Sequence, residues 1–117
     1  MSEQGMLEKI HKLEGKHKTA GIIKVMESRH ADAEVVCEAL NALADVADED
    51  AINEITHYLE HDDPKVRIAA CKAGLRVGTD YLNTRVHYQL SQDKDPEVKK
   101  AVQEAIDERI NHPRESD

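Results

Sequence analysis

The fold is decided by residues 62–78, DDPKVRIAACKAGLRVG. The Asp63-Pro64 step suits the start of a helix, because Asp caps a helix N-terminus and Pro fits the first helical position. Small and branched apolar residues then recur at helical spacing, and Gly78 follows as a residue that ends helices. A second step of the same kind, Asp95-Pro96, lies 32 residues further on. These features predict a helical unit that is repeated along the chain.

The apolar positions that follow the two Asp-Pro steps correspond at the same offset of 32 residues. The aligned sets are Val66, Ala69, Ala70 and Ala73, and then Val98, Ala101, Val102 and Ala105. A degenerate third copy lies 31 residues upstream, although Ala33 stands where the proline would be; its apolar residues are Val35, Ala39, Ala42 and Val46. A second amphipathic segment precedes each copy, with anchors at Ile22 and Met26, Ile55 and Leu59, and Val86 and Leu90. The repeated unit is therefore a pair of helices.

A single domain over residues 1–117 is expected from this length. We predict an N-terminal capping helix within 1–18, helix pairs within 19–47, 48–78 and 79–110, and a flexible tail over 111–117. Helices are predicted near 3–15, 19–29, 32–47, 49–61, 64–77, 80–91 and 96–110. Asp48 and Thr79 are predicted to cap the first helices of the second and third pairs. Because no segment has a strand pattern and aromatic residues make up only 3%, the expected fold class is all-α.

These residues resemble the HEAT repeat, in which an Asp-Pro turn is followed by Val-Arg and small residues. The resemblance covers about residues 19–110 and is weaker over 93–106, DKDPEVKKAVQEAI. It implies a right-handed α-α superhelix. It also implies that Asp62 or Asp63 bonds to Arg67 across neighbouring repeats as a structural ladder. HEAT arrays serve many unrelated functions, so the resemblance indicates the fold more than the activity.

No residue pattern predicts catalysis. His57 and His61 are spaced for one helix face, but we interpret both as solvent-facing, because Ile52, Ile55 and Leu59 already define a buried stripe. None of the seven histidines precedes a Glu, unlike the His-Glu pairs of the HEAT-like deoxyhypusine hydroxylases. A nucleophile elbow and a phosphate-binding Gly-rich loop are also missing. We therefore expect no enzyme activity, no metal and no cofactor.

Charge and cysteine usage narrow the environment and the class of partner. The net charge of −8 opposes binding to nucleic acid and to anionic membranes. The opening MSEQGMLEKI lacks the apolar core of a secretory signal, and no apolar stretch approaches the length of a membrane span. Cys37 and Cys71 lie in predicted helices without a CxxC motif, so we interpret them as reduced structural thiols. The expected location is the cytoplasm, and the expected partner is a protein.

Two candidate partner-binding surfaces stand out. Residues 27–63 hold twelve acidic residues against Arg29 alone, and we predict that the turn at Asp45, Asp48, Glu49 and Asp50 attracts a basic segment. The second surface is a concave groove on the helix over 64–77, predicted to be lined by Ile68, Lys72, Leu75 and Arg76. Either surface could be the binding site.

The sequence therefore predicts a non-catalytic scaffold or adaptor that binds proteins. The alternative is a small-ligand or chromophore-handling accessory protein similar to the HEAT-like bilin lyases. No feature of the sequence indicates the oligomeric state.

Overall fold

Seven helices make up most of residues 2–111, the part of the chain that the computed structural model describes. They are α1 (Glu3–Gly15), α2 (Thr19–Met26), α3 (Ala33–Val46), α4 (Glu49–Tyr58), α5 (Pro64–Val77), α6 (Asp80–Gln92) and α7 (Pro96–Asn111). This range contains no strand, which confirms the all-α prediction. The predicted tail lies outside the described residues, except for Asn111, which ends α7.

The predicted N-caps are confirmed. The side chain of Asp48 accepts from the Ala51 N–H at 2.8 Å, and the hydroxyl of Thr79 accepts from the Leu82 N–H at 3.1 Å. Asp63 caps α5 by accepting from the N–H of Lys65 at 2.9 Å. These bonds satisfy backbone donors that a helix start would otherwise leave unpaired.

Two leading helices are shorter than predicted. α2 ends at Met26 and α4 ends at Tyr58, whereas the sequence pattern predicted helix to residues 29 and 61. After each end the chain forms tight turns, such as the bond from the His61 N–H to the Tyr58 carbonyl at 3.2 Å. These turns bring the chain round to the N-cap of the next helix.

The helices lie in two layers. α1, α3, α5 and α7 pack side by side in one layer, and α2, α4 and α6 form the other. The three pairs α2–α3, α4–α5 and α6–α7 therefore stack in sequence, as predicted from the repeats. Principal-axis extents of 37 × 33 × 20 Å fit two layers of helices, each about 10 Å thick.

The first helix extends the layer of trailing helices. His11 lies 3.7 Å from Glu38, and Glu14 interacts with Asp45 near the ends of α1 and α3. Their order shows that α1 and α3 run in the same direction. α1 thus stands where the second helix of a preceding pair would stand.

Aliphatic side chains, together with Met6, Met26 and Cys71, form the core between the layers. Its largest fully buried members are Ile10, Ile22, Leu40, Leu43, Ile55, Leu59 and Leu82. Near the centre, α5 contacts α3, α4, α6 and α7, and Ala70 is 0% exposed. Within residues 2–111, no helix is both long enough and apolar enough to span a bilayer.

Ala70→Asp is expected to destroy cooperative folding, because it would bury an unpaired carboxylate at a cost of several kcal/mol, about 4 or more. Circular dichroism during thermal unfolding measures this. Lys72→Asp, exposed on the same helix, is the control and should change stability by less than about 1 kcal/mol. Equal melting temperatures for the two variants would contradict the position of Ala70.

Candidate functional site

Four of the predicted partner-binding residues lie in or next to the turn between α3 and α4, but Asp48 already has structural partners. Its Oδ1 accepts from the Ala51 N–H, and its Oδ2 accepts from the hydroxyl of Thr19 at 2.5 Å. The second bond ties the start of α4 to the start of α2. The Asp48 carboxylate therefore holds two repeats together as well as capping a helix.

Asp45 is also engaged within the fold. It forms an ion pair with Arg76 of α5, and Arg76 donates a further hydrogen bond to the side chain of Asn41. A hydrogen bond shared with Asp45, together with burial, raises the pKa of Glu14 on α1. Asp45 thus stands between a base on one neighbouring helix and an acid on the other.

Glu49 and Asp50 are the unengaged members of the turn. Both are exposed in the first turn of α4, where the helix dipole favours negative charge. Neither side chain forms an ion pair or hydrogen bond within residues 2–111. These two carboxylates are available to a partner.

The residues predicted to line a groove on α5 have different environments. Lys72 is exposed, and Ile68 is half-buried against the core. Leu75 is only 5% exposed and lies in a hollow of about 370 Å³ with Ile106 and Arg109. Most of the Leu75 side chain is therefore covered, because α7 packs against this side of α5. Arg76 is engaged with α3, as described above.

Neighbouring helices of the same layer carry opposite charge. The charged residues of α3 are Glu34, Glu38 and Asp45, and those of α5 are Lys65, Arg67, Lys72 and Arg76. Because α3 and α5 pack together, part of the acidic region predicted from the sequence is neutralised inside the fold. At the start of α4 the exposed carboxylates of Glu49 and Asp50 have no pairing base among residues 2–111.

A buried ion pair joins the second and third repeats. Arg67 donates from Nε to Oδ2 of Asp93 at 2.8 Å and from Nη2 to Oδ1 at 3.3 Å. The Asp93 side chain is 2% exposed, and that of Arg67 is 16% exposed. This two-pronged geometry is the strong form of an Arg–carboxylate bond.

Further hydrogen bonds hold both partners of this pair. Asp93 accepts from Gln89 and from the Asp95 N–H, while Arg67 also donates to the carbonyls of His61 and Asp62. Burial raises the pKa of Asp93, but the bond from Arg67 and the other donors outweigh burial, so the pKa lies below its usual value. The ladder partner of Arg67 is thus Asp93, and not the side chain of Asp62 or Asp63.

Comparison with known proteins agrees with this architecture. The family model for HEAT repeats matches residues 19–106. The chain belongs to the HEAT-repeat family. HEAT repeats are generally scaffolds for protein interaction. Neither the search of curated proteins nor that of solved structures found a match.

The two histidines spaced by four residues do not share a helix face in this HEAT stack. His57 is exposed near the end of α4, whereas His61 lies in the following turn and is half-buried. The His61 ring stacks on Tyr58 with centroids 5.6 Å apart, and its Nδ1 accepts from the Asp63 N–H at 3.0 Å. The prediction that both histidines face solvent is therefore correct for His57 and wrong for His61. Across residues 2–111 no three His, Cys, Asp or Glu side chains are grouped as a metal site.

Both thiols are free and poorly reactive. Burial raises the pKa of Cys37, and burial together with Asp93 raises that of Cys71 to about 12. Since the thiolate is the nucleophile and the metal ligand, this supports a structural role.

An acidic pair lies on the outer layer of the HEAT stack. Burial, followed by hydrogen bonding and repulsion from Glu27, raises the pKa of Glu54 to about 7. Oε2 of Glu54 is buried without a hydrogen-bond partner among residues 2–111. No sequence pattern indicates this pair, because the two residues are 27 positions apart.

Asp93→Ala should lower the free energy of unfolding by about 3 kcal/mol, because the Arg67 guanidinium would lose its buried counter-charge. Chemical denaturation measures the loss. Asp62→Ala is the matched control: its side chain is exposed, its carbonyl is retained, and a change below about 0.5 kcal/mol is expected. A larger loss in Asp62→Ala than in Asp93→Ala would restore the ladder implied by the family resemblance.

Glu54→Gln should change how stability depends on pH. In the wild type the folded state binds the Glu54 proton more tightly than the unfolded state, whose pKa is near 4.5. Stability from this group is therefore complete below pH 4.5 and is lost as pH rises to about 7. At pH 8 the variant should be more stable by about 1 kcal/mol, a value discounted for solvent screening.

Denaturation at several pH values tests this expectation. Glu49→Gln, exposed on the same helix, serves as control and should leave the pH dependence unchanged. A Glu54→Gln variant whose stability falls as steeply as that of the wild type between pH 5 and pH 8 would contradict the shifted pKa.

Proposed function

We propose that this HEAT-repeat chain is a non-catalytic scaffold that docks a basic segment of a partner protein at the start of α4. The observation that carries the proposal is the pair of exposed, unengaged carboxylates of Glu49 and Asp50. They lie at one edge of a rigid stack. Fixed surface charges of this kind steer a partner of opposite charge and set its orientation.

The surrounding contacts support a preformed site. Asp48 fixes the start of α4 through its bonds to Ala51 and Thr19, so the first turn of α4 is held in place before a partner arrives. The ion pair of Asp45 with Arg76 fixes the end of α3. Of the predicted residues, Glu49 and Asp50 therefore serve as contacts, while Asp45 and Asp48 serve as supports.

The second predicted surface contributes less to the proposal. Ile68 is half-buried, Leu75 is buried and Arg76 is occupied by α3, so Lys72 alone stays fully exposed. A basic partner would be repelled by Lys72. The proposed docking site is therefore the acidic edge, and the inner face of α5 is secondary.

Surface shape, net charge and the thiols support the class of partner and the location that we propose. Hollows of about 270 to 410 Å³ lie open at the surface, which fits protein contact better than the enclosed binding of a small ligand or chromophore. The net charge of −8 supports a protein partner over nucleic acid. The two free thiols support the proposed cytoplasmic location.

The double substitution Glu49→Lys/Asp50→Lys should slow association with a partner captured from cell extract by about tenfold at low salt. Rim charges act mainly on the association rate, and their effect is screened over about 8 Å at physiological salt. Stopped-flow kinetics at two salt concentrations measures this effect.

Asp80→Lys provides the matched control, since Asp80 is exposed in the first turn of α6, the corresponding place in the next repeat. It should change the association rate by less than about twofold. Association rates that are independent of salt and equal in all three proteins would refute the acidic edge as the docking site.

A further inference from the structure

A groove lies between α1 and α2, at the N-terminal end of the stack. Its volume is about 270 Å³, and its apolar floor is formed by Met6, Leu13 and Val25. A hollow of about 410 Å³ continues beyond Leu13 along the outer face of α1. Within the described residues, only α1 with the residue that follows it, α2 and the turn after α2 line these two hollows. The N-terminal groove, as we call them together, is thus separate from the acidic edge of α4.

Basic side chains surround this groove. Lys9 and Lys12 border it from α1, Lys16 borders it from the position that follows α1, and Lys24 borders it from α2. All four are exposed, and none pairs with a carboxylate of residues 2–111. Glu8 is the acidic residue of the lining. A chain with a net charge of −8 therefore carries a local positive rim around an apolar floor.

One face of each helix lines the groove. Met6, Lys9 and Leu13 lie on one face of α1, and Gly21 and Lys24 lie on the facing side of α2. A Cβ atom at Gly21 would lie 3.0 Å from Cδ2 of Leu13. The glycine thus lets the two helices approach closely while the Leu13 side chain keeps its place in the floor.

We propose that the N-terminal groove binds an amphipathic helix of a partner protein, with acidic residues flanking its apolar stripe. Charge complementarity selects the acidic flanks, because four unpaired lysines border the floor. We infer a helical ligand because α3 already packs against both α1 and α2 within the stack. A helix lying in a groove between two helices buries its apolar side chains in the same way. This site is independent of the acidic edge, so the scaffold would bind two partners of opposite charge.

The test uses a fluorescent synthetic peptide of about 16 residues, roughly four helical turns, with leucines at helical spacing and glutamates beside them. Fluorescence anisotropy should show saturable binding to the wild type. Lys9→Glu/Lys24→Glu should weaken it by about tenfold or more, equivalent to about 1.4 kcal/mol. Lys99→Glu/Lys100→Glu, which reverses two exposed lysines of α7, should alter the affinity by less than about twofold.

Further peptides distinguish binding in the N-terminal groove from non-specific attraction between opposite charges. A peptide with serines in place of leucines and a peptide with lysines in place of glutamates should both bind about tenfold more weakly. Equal binding of any of these peptides, or equal loss in the α7 variant, would overturn the proposal. So would binding to phosphatidylserine vesicles without saturable peptide binding, which would assign the lysines to a membrane surface. Circular dichroism of each variant shows whether the fold is retained.

Discussion

Close approach of helices around α5 is the constraint on which the rest of the stack depends. α5 contacts four other helices, and it can do so because Ala70, Ala73 and Gly74 occupy the crossings. A Cβ atom at Gly74 would lie 3.1 Å from Cγ2 of Val86, so an added methyl group would force the Val86 side chain to shift by a few tenths of an ångström. Interiors packed this closely transmit small displacements to neighbouring elements. The register of the α4–α5 pair therefore sets the positions of the pairs on both sides.

Polar bonds at both edges of α5 complement this apolar packing. Arg67 reaches forward to Asp93 in the third repeat, and Arg76 reaches back to Asp45 in the first. The forward pair is buried and fully hydrogen-bonded, so loss of either partner would leave a buried charge uncompensated. The backward pair is partly exposed and has a smaller effect on stability. Together they restrict sliding of one repeat past the next.

Local and periodic features were predictable from the sequence. The offset of 32 residues located the helix pairs, and the capping residues Asp48 and Thr79 marked helix starts, because capping depends on neighbours within a few residues. The partner of Arg67 was not predictable in the same way. At that offset Asp93 aligns with His61, and both accept a hydrogen bond from the N–H two residues later. Because the side chains at these two equivalent positions differ, the repeat alignment does not identify Asp93 as the partner of Arg67.

The environment of surface residues depends on the arrangement of helices in space, which a count along the chain does not give. Two apolar stripes on one helix fit either a groove or a second packing partner, and α7 covers Leu75 because the stack continues past α5. The excess of acidic residues over 27–63 likewise does not indicate that α3 packs against the basic helix α5. Only the three-dimensional arrangement separates Glu49 and Asp50, which are unengaged, from Asp45 and Asp48, which hold the fold.

The first repeats also hold like charges close together. Hydrogen bonding and repulsion involving Asp32 raise the pKa of Glu3, Asp45 acts in the same way on Glu14, and Glu27 adds to the effect of burial on Glu54. Each pair opposes folding when both members are ionised. A cationic partner near such a pair would stabilise its ionised form, and the relief of repulsion would add to the binding free energy. Under the proposed function, acidic residues that weaken the isolated stack would therefore favour its complex with a basic segment.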